Sequence, residues 1–412
     1  MLLKGSVQVA DEDASQEFFN MMKYYSADYI LPVSGSPIKN GTVAVDQHEI
    51  IAVYEEGSEE LSGKEIEKFK GLIVPGFVNS HCHLELSHLH NKIPGAEGLI
   101  SFVQQIIRSR NIEIGAEEVQ EAMLAADKLM YDNGIVAVGD ISNTINSKPV
   151  KQQSALYYHT FIELLGFDPE KAKSIFKTGT DLYEKFQPLK ASVVPHAPYS
   201  VSKELFRFMS KFCWENGSIL SIHNQETEEE NKFFRYKTGQ FVEFYQNLNV
   251  SIDFFRAQAR NSVQSIIPLL PENQKILLVH NTYTSFKDLN FISRSGRDVS
   301  FCFCPNANMY IEKRLPKIDI FSSAGFNLTL GTDSLASNNT LCILSELKTL
   351  HANFPALQLT DTIKWATLNG ARFLGIEQNC GSIEKGKKPG LNLISDTEGL
   401  RLTQLSKVRR LD

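Results

Sequence analysis

From Gly71 onward the chain repeats one pattern: a short apolar run, a polar residue at its end, then a longer amphipathic stretch. Eight such runs read as strands: Ile73–Ser80, Ile135–Asp140, Tyr157–Glu163, Ala191–His196, Ile219–His223, Ile276–His280, Val299–Cys304 and Leu328–Asp333. Stretches such as Ala116–Asn133 and Asp361–Leu374 carry helical periodicity between or after them. Strands alternating with helices build a parallel sheet, and eight of them predict an α/β fold of the closed (β/α)₈ TIM-barrel type. Such a barrel gathers the C-terminal ends of its strands on one face. Here those ends carry His81/His83, Asp140, Glu163, His196, His223, His280 and Asp333. The whole chain has only 10 histidines, so their recurrence at strand ends marks this face as the site of an enzyme.

The flanking segments read differently. Residues 1–22, with Asp11-Glu12-Asp13 and little periodicity, look like a leader without packed structure. Residues 23–70 alternate short strands and turns, including Gly41–Val45 and Glu49–Tyr54, and the run Gly381–Ile394 reads as a late β-hairpin that rejoins them. The expected organisation is a barrel over 71–374 with a small β-sandwich built from 23–70 and 375–412. A net charge of −6 gives no global attraction for nucleic acid or an anionic membrane. No stretch approaches the ~20 apolar residues of a membrane span. The six cysteines are scattered without a disulfide spacing, which fits a reduced, cytoplasmic protein. Cys302 and Cys304 form the one close pair, readable as ligands but more simply as small buried residues of a strand. The expected partner is therefore a small-molecule substrate, with a homodimer left open.

The chemistry concentrates in His81-Cys82-His83, because i, i+2 spacing in a strand points both imidazoles to one side. His81, His83, His223 and Asp333 supply three imidazoles and a carboxylate, a set suited to one divalent ion with a position open for water. An ion so held lowers the pKa of its water and makes hydroxide available near neutrality. Glu226 follows His223 closely enough to shuttle protons at that water, unless it merely opens the charged helix start Glu226–Glu230. His280 either completes the ligand set, polarises the substrate, or is a satisfied core histidine.

Pro75-Gly-Phe-Val-Asn-Ser-His-Cys-His83, Pro195-His-Ala-Pro-Tyr-Ser200, His223-Asn-Gln-Glu226, Val279-His280, Leu330-Gly-Thr-Asp-Ser334, Ala366-Thr-Leu-Asn-Gly-Ala371 and Gly381-Ser-Ile-Glu-Lys-Gly386 run in order across nearly the whole chain. Together they resemble the amidohydrolase superfamily, in particular its adenosylhomocysteine/methylthioadenosine deaminase and chlorohydrolase-like group. The resemblance implies a mononuclear centre, zinc first and iron second, on His81, His83, His223 and Asp333. It further implies Glu226 as proton shuttle, His280 assisting on the leaving-group side, and Asp333 taking a proton from the attacking water. Binuclear members carry a carbamylated lysine where this chain has His196, which implies a single metal and leaves His196 as a substrate contact or a strand cap. Glu85, which many deaminases of the group lack, would contact substrate or orient His83. The His-x-His-Leu-Glu-Leu-Ser form is most similar to deaminases of 6-amino-6-deoxyfutalosine and related adenine nucleosides. The expected reaction is hydrolytic deamination of an aminated N-heterocycle, an adenine-type nucleoside foremost. The alternatives are hydrolysis of a cyclic amide or ring chloride, or deamination of a free base such as guanine or a pterin. A non-catalytic scaffold would normally have lost a ligand or Glu226, and all five residues are present.

Overall fold

The computed structural model describes residues 22–95, 98–109 and 115–412; the leader expected over 1–22 lies outside them apart from Met22. The chain enters through five strands, β1 (Lys23–Ile30), β2 (Ile38–Lys39), β3 (Thr42–Asp46), β4 (Glu49–Tyr54) and β5 (Glu67–Pro75). Next come β6 (Phe77–Cys82), β7 (Ile135–Ser142), β8 (Tyr157–Leu164) and β9 (Ala191–Pro195), then β10 (Leu220–Asn224), β11 (Ile276–His280), β12 (Val299–Phe303) and β13 (Asn327–Leu330). Two late strands, β14 (Leu391–Ser395) and β15 (Lys407–Arg410), complete the set.

All eight runs expected as parallel strands are strands. They form two four-stranded sheets, β6-β7-β8-β9 and β10-β11-β12-β13, with every pair parallel. Strands such as β10, β11 and β12 are buried at every residue, as expected where a parallel sheet is covered on both faces. At their C-terminal ends the two sheets also bond to each other. His223 N donates to the His196 carbonyl at 2.9 Å, and Thr332 N and Asp333 N both donate to the His81 carbonyl at 3.1 Å. Cys82 and Asp333 form an isolated parallel bridge at the second junction. Helices of the intervening segments cover the sheets; Ala172–Phe186, for example, packs on β8, β9 and the helix Lys203–Asn216. Ser202 caps the latter by accepting from Leu205 N, and Gly217, in the left-handed region, ends it.

The remaining strands gather in one seven-stranded sheet of order β15-β14-β5-β1-β3-β4, with β2 beside β1. Its side chains, including Tyr25, Ile30, Val43, Ile50, Ile73 and Leu393, form their own apolar cluster. Three expectations need correction here. Ile73 and Val74 belong to β5, which pairs with β1 and β14, so sheet membership changes at Gly76 rather than at Gly71. Gly76 permits the passage because a Cβ there would lie 2.2 Å from Val136 Cγ1 and 2.5 Å from the Pro389 carbonyl. The late hairpin is not Gly381–Ile394 but β14 against β15; β14 alone rejoins β5, antiparallel. The stretch Asp361–Leu374 is likewise two helices, Leu359–Trp365 and Leu368–Leu374, interrupted where the Ala366 carbonyl accepts from Val78 N at 2.8 Å. Among the described residues, no helix is long and apolar enough to cross a membrane. All six cysteines are free thiols, and Cys302 and Cys304 are wholly buried.

Candidate active site

His81 lies in β6, His83 just beyond it, His223 in β10, His280 at the last position of β11 and Asp333 in the turn after β13. The alternation of the strands and the proximity of their C-terminal ends bring these side chains to one point. Nε2 of His83 stands 3.1 Å from Nε2 of His81 and 3.2 Å from Nε2 of His223. Oδ1 of Asp333 is 3.6 Å from His81 Nε2 and 3.4 Å from His83 Nε2. His223 Nδ1 donates to the His196 carbonyl at 2.9 Å, which leaves its Nε2 a bare lone pair. Burial pushes His83 down to about 3 and His223 well below the ordinary histidine range, so both rings are neutral. Neutral imidazoles facing one another with a carboxylate beside them could hold a divalent cation. Tetrahedral bonds of about 2.0–2.1 Å would themselves space such nitrogens by about 3.3 Å.

The two acidic groups of the site differ in kind. Burial acts to raise Asp333, but a hydrogen bond from His81 and the imidazoles of His83 and His280 hold its carboxyl below the usual range. Ser337 Oγ donates to its Oδ2 at 2.5 Å. Burial, with the charges of Asp333 and Glu312 nearby, pushes the Glu226 carboxyl well above the usual range. Glu226 is only 5 % exposed and precedes the helix Glu228–Tyr236, whose N-cap is Thr227, so the solvated helix start describes Glu228 and not Glu226. Its Oε1 lies 3.7 Å from His280 Nε2. On the other side of that ring, Nδ1 bonds Asn308 Oδ1 at 3.2 Å, and the Asn308 amide also donates to Thr282 Oγ1. That pairing makes Nδ1 the protonated nitrogen of His280 and leaves Nε2 an acceptor. His280 and Asp333 both sit at positive φ, 69° and 56°, a strained conformation for residues with side chains and one that concentrates at functional sites.

A cavity of about 750 Å³ opens above the cluster, lined by His83, His223, Glu226, His280 and Asp333 at its base and by His196, Glu163 and Asn143 on one flank. Its wall carries an apolar part, Leu99, Phe102 and Ile106 from the helix Leu99–Ser109 with Phe244, Leu248 and Phe254, and a charged part with Asp168, Glu170, Lys171 and Asp253. His196, whose Nδ1 bonds Ser200 Oγ at 2.7 Å, lies where expected. Glu85 does not: it is absent from the lining, and among the described residues no hydrogen bond joins it to His83. Its carboxylate instead accepts from Asn143 N at 3.0 Å and Thr144 N at 3.1 Å. Sequence reasoning placed Glu163 at a strand end without a role, yet its Oε1 is 3.4 Å from His223 Nδ1. It also missed the buried Lys151, whose Nζ meets Asp140 Oδ2 at 2.6 Å, while Asp140 Oδ1 accepts from Leu84 N at 2.8 Å, next to His83.

Residues 72–409 match the amidohydrolase family, and the chain belongs to that family. The family is metal-dependent, and together with its relatives it makes this protein a hydrolase of carbon–nitrogen bonds. An adenosine deaminase of Helicobacter pylori is 29% identical over 336 residues, covering 79% of this chain and 80% of that one. A 5-methylthioadenosine/S-adenosylhomocysteine deaminase of Pyrococcus abyssi is 27% identical over 336 residues, 77% and 72% of the two chains. Among solved structures, Helicobacter pylori aminofutalosine deaminase in complex with methylthio-coformycin superimposes with a TM-score of 0.81 at 22% identity, over 95% of this chain and 100% of that one. The likeness shows that the mixed α/β fold is that of the TIM-barrel amidohydrolases.

Proposed function

We propose that the protein deaminates an aminated N-heterocycle, an adenine-type nucleoside foremost, at a single metal centre. The observation that carries the reading is the convergence of His81, His83, His223 and Asp333 at the base of a cavity that is also lined by Glu226. The two parallel sheets are read as one closed (β/α)₈ barrel running from Gly76 to Leu374, and the seven-stranded sheet as a β-sandwich domain built from 23–75 and 375–412.

His81, His83, His223 and Asp333 would hold one divalent ion, zinc, which when bound lowers the pKa of a water and so supplies the nucleophile. Asp333, whose carboxyl the hydrogen bond from His81 holds below the usual range, would accept the proton that the water gives up. Glu226, its carboxyl pushed up by burial, would give its proton to the ring nitrogen beside the attacked carbon; the proton taken by Asp333 would pass to the amino group, which leaves as ammonia, while the added hydroxyl returns its proton to Glu226 as the carbonyl forms. His280, with its bare Nε2 fixed by Asn308, accepts a hydrogen bond from the attacking water and orients it. His196 contacts the substrate from the flank. The apolar part of the wall, Leu99, Phe102, Ile106, Phe244 and Leu248, suits an apolar group at the 5′ position, in keeping with the relative named for methylthioadenosine.

The test is a panel of adenosine, 5′-deoxyadenosine, methylthioadenosine, guanine, a pterin and a chlorotriazine, offered to metal-loaded protein while ammonia and chloride are followed. Ammonia should come fastest from the adenine nucleosides with apolar 5′ groups. Turnover confined to guanine, the pterin or the chlorotriazine would overturn the substrate class.

A further inference from the structure

The segment that follows His83 returns to the site through two neighbouring strands. Leu84–Leu89 is a short 3₁₀ helix, and Glu85 turns its carboxylate from it toward the loop after β7. There Oε2 accepts from Asn143 N at 3.0 Å and Thr144 N at 3.1 Å, while Oε1 accepts from Thr144 Oγ1 at 2.9 Å and Ser147 Oγ at 3.3 Å. The loop so held presents Asn143 to β8, where its Nδ2 donates to the Glu163 carbonyl at 3.2 Å and to Glu163 Oε2 at 3.1 Å. The second oxygen of that carboxylate lies 3.4 Å from His223 Nδ1. His223 Nε2 in turn stands 3.2 Å from His83 Nε2, which closes the circuit where it began.

We infer that Glu85 and Asn143 are positioning residues, a strut that acts through Glu163 to set the ring of His223 against that of His83. A carboxylate bonded to two consecutive backbone amides fixes the loop. The Asn143 amide then fixes which way the Glu163 carboxylate faces, and that carboxylate, 3.4 Å from His223 Nδ1, flanks the ring on the side where the His196 carbonyl already accepts from Nδ1 at 2.9 Å, so it sets where the ring stands while the carbonyl sets its tautomer. The inference rests on the reading of His81, His83, His223 and Asp333 as metal ligands.

The experiment measures zinc affinity by competition with a chromophoric chelator, alongside Tm, kcat and KM. The proteins are the wild type, Glu85→Ala, Glu85→Gln, Asn143→Ala and the Glu85→Ala/Asn143→Ala pair. Zinc should bind about 10- to 100-fold more weakly in each alanine variant, with kcat falling and KM little changed. The pair should be no weaker than the worse single variant, because both cut the same strut. Glu85→Gln should stay within a few-fold of wild type, since its carbonyl still accepts from the two amides. If Glu85→Ala does not fold, Asn143→Ala carries the test, because it leaves the bonds of Glu85 to the backbone intact. Wild-type zinc affinity in folded Asn143→Ala, or a loss of Tm alone, would overturn the strut. A wild type that holds no zinc would overturn the metal reading and the strut with it, an outcome distinguishable because it appears before any substitution.

Discussion

Glu226 and Asp333 are both buried carboxyls, and their surroundings push them in opposite directions: Asp333 is hydrogen-bonded by His81 with further imidazoles beside it, whereas Glu226 is raised by burial and by the nearby acids Asp333 and Glu312. That contrast fits the proposed roles of Asp333 as proton acceptor and Glu226 as proton donor, and substitution separates them. Glu226→Gln should retain the metal and the fold while kcat falls ~10²- to 10⁴-fold, the usual worth of a proton-transfer group. His223→Ala should lose tight metal binding and turnover together. Metal analysis of both variants checks this: an emptied site in Glu226→Gln would make Glu226 a ligand. The imidazoles and Asp333 were legible in the sequence because they fall at strand ends, where periodicity alone predicts convergence. Glu85 was not, because its partners are backbone amides of a distant loop, and backbone groups leave no mark in a sequence. The Lys151–Asp140 pair was hidden for a related reason: a lysine in the short helix Lys148–Gln153 looks like surface until the strand that buries it is known.

At the scale of elements, the turn that aims Glu226 is held from below by a buried polar network. Gln225 sits at φ 45°, and its side chain is fully engaged, accepting from Thr284 Oγ1 at 2.7 Å and donating to Asn231 Oδ1 at 3.0 Å and Asp288 Oδ2 at 3.2 Å. Its backbone N–H donates to Glu230 Oε1 at 3.1 Å. Burial pushes Glu230 up to about 8, against an ordinary value of 4.5. The folded protein therefore holds a proton there that the unfolded chain releases. The resulting stability is complete below about pH 4.5 and is lost as pH rises through about 8. Glu230→Gln, neutral throughout, should gain on the wild type by up to ~1.4 kcal/mol per pH unit across that window. Urea unfolding at pH 5.5, 7 and 8.5 measures the difference; a flat profile would show that Glu230 is ionised in the fold. The parallel strands themselves were readable because burial on both faces makes them short apolar runs. Their first boundary was not, since Leu72–Pro75 and Phe77–Cys82 form one apolar stretch and only Gly76 marks the change of sheet.

For the molecule as a whole, the proposed ligands come from strands of both parallel sheets, so a bound ion would fasten β6, β10 and the β13 turn across the sequence. Removing it should lower Tm, with the loss at 25 °C about 4 kcal/mol when free metal had stood at 1,000 times Kd. Calorimetry before and after chelation checks this, and an unchanged Tm would mean that the four side chains hold no ion. Gly76 adds a consequence of another kind. It joins the strand that carries His81 directly to β5, in the middle of the seven-stranded sheet, with Val136 and Pro389 packed too closely to allow any other residue. Any excursion that peels β5 from its neighbours therefore pulls on the ligand strand, and a bound ion resists that pull. Inside a cell, the free-metal concentration would then bear on the protein's lifetime: starved of metal, it would expose this seam to proteases more often.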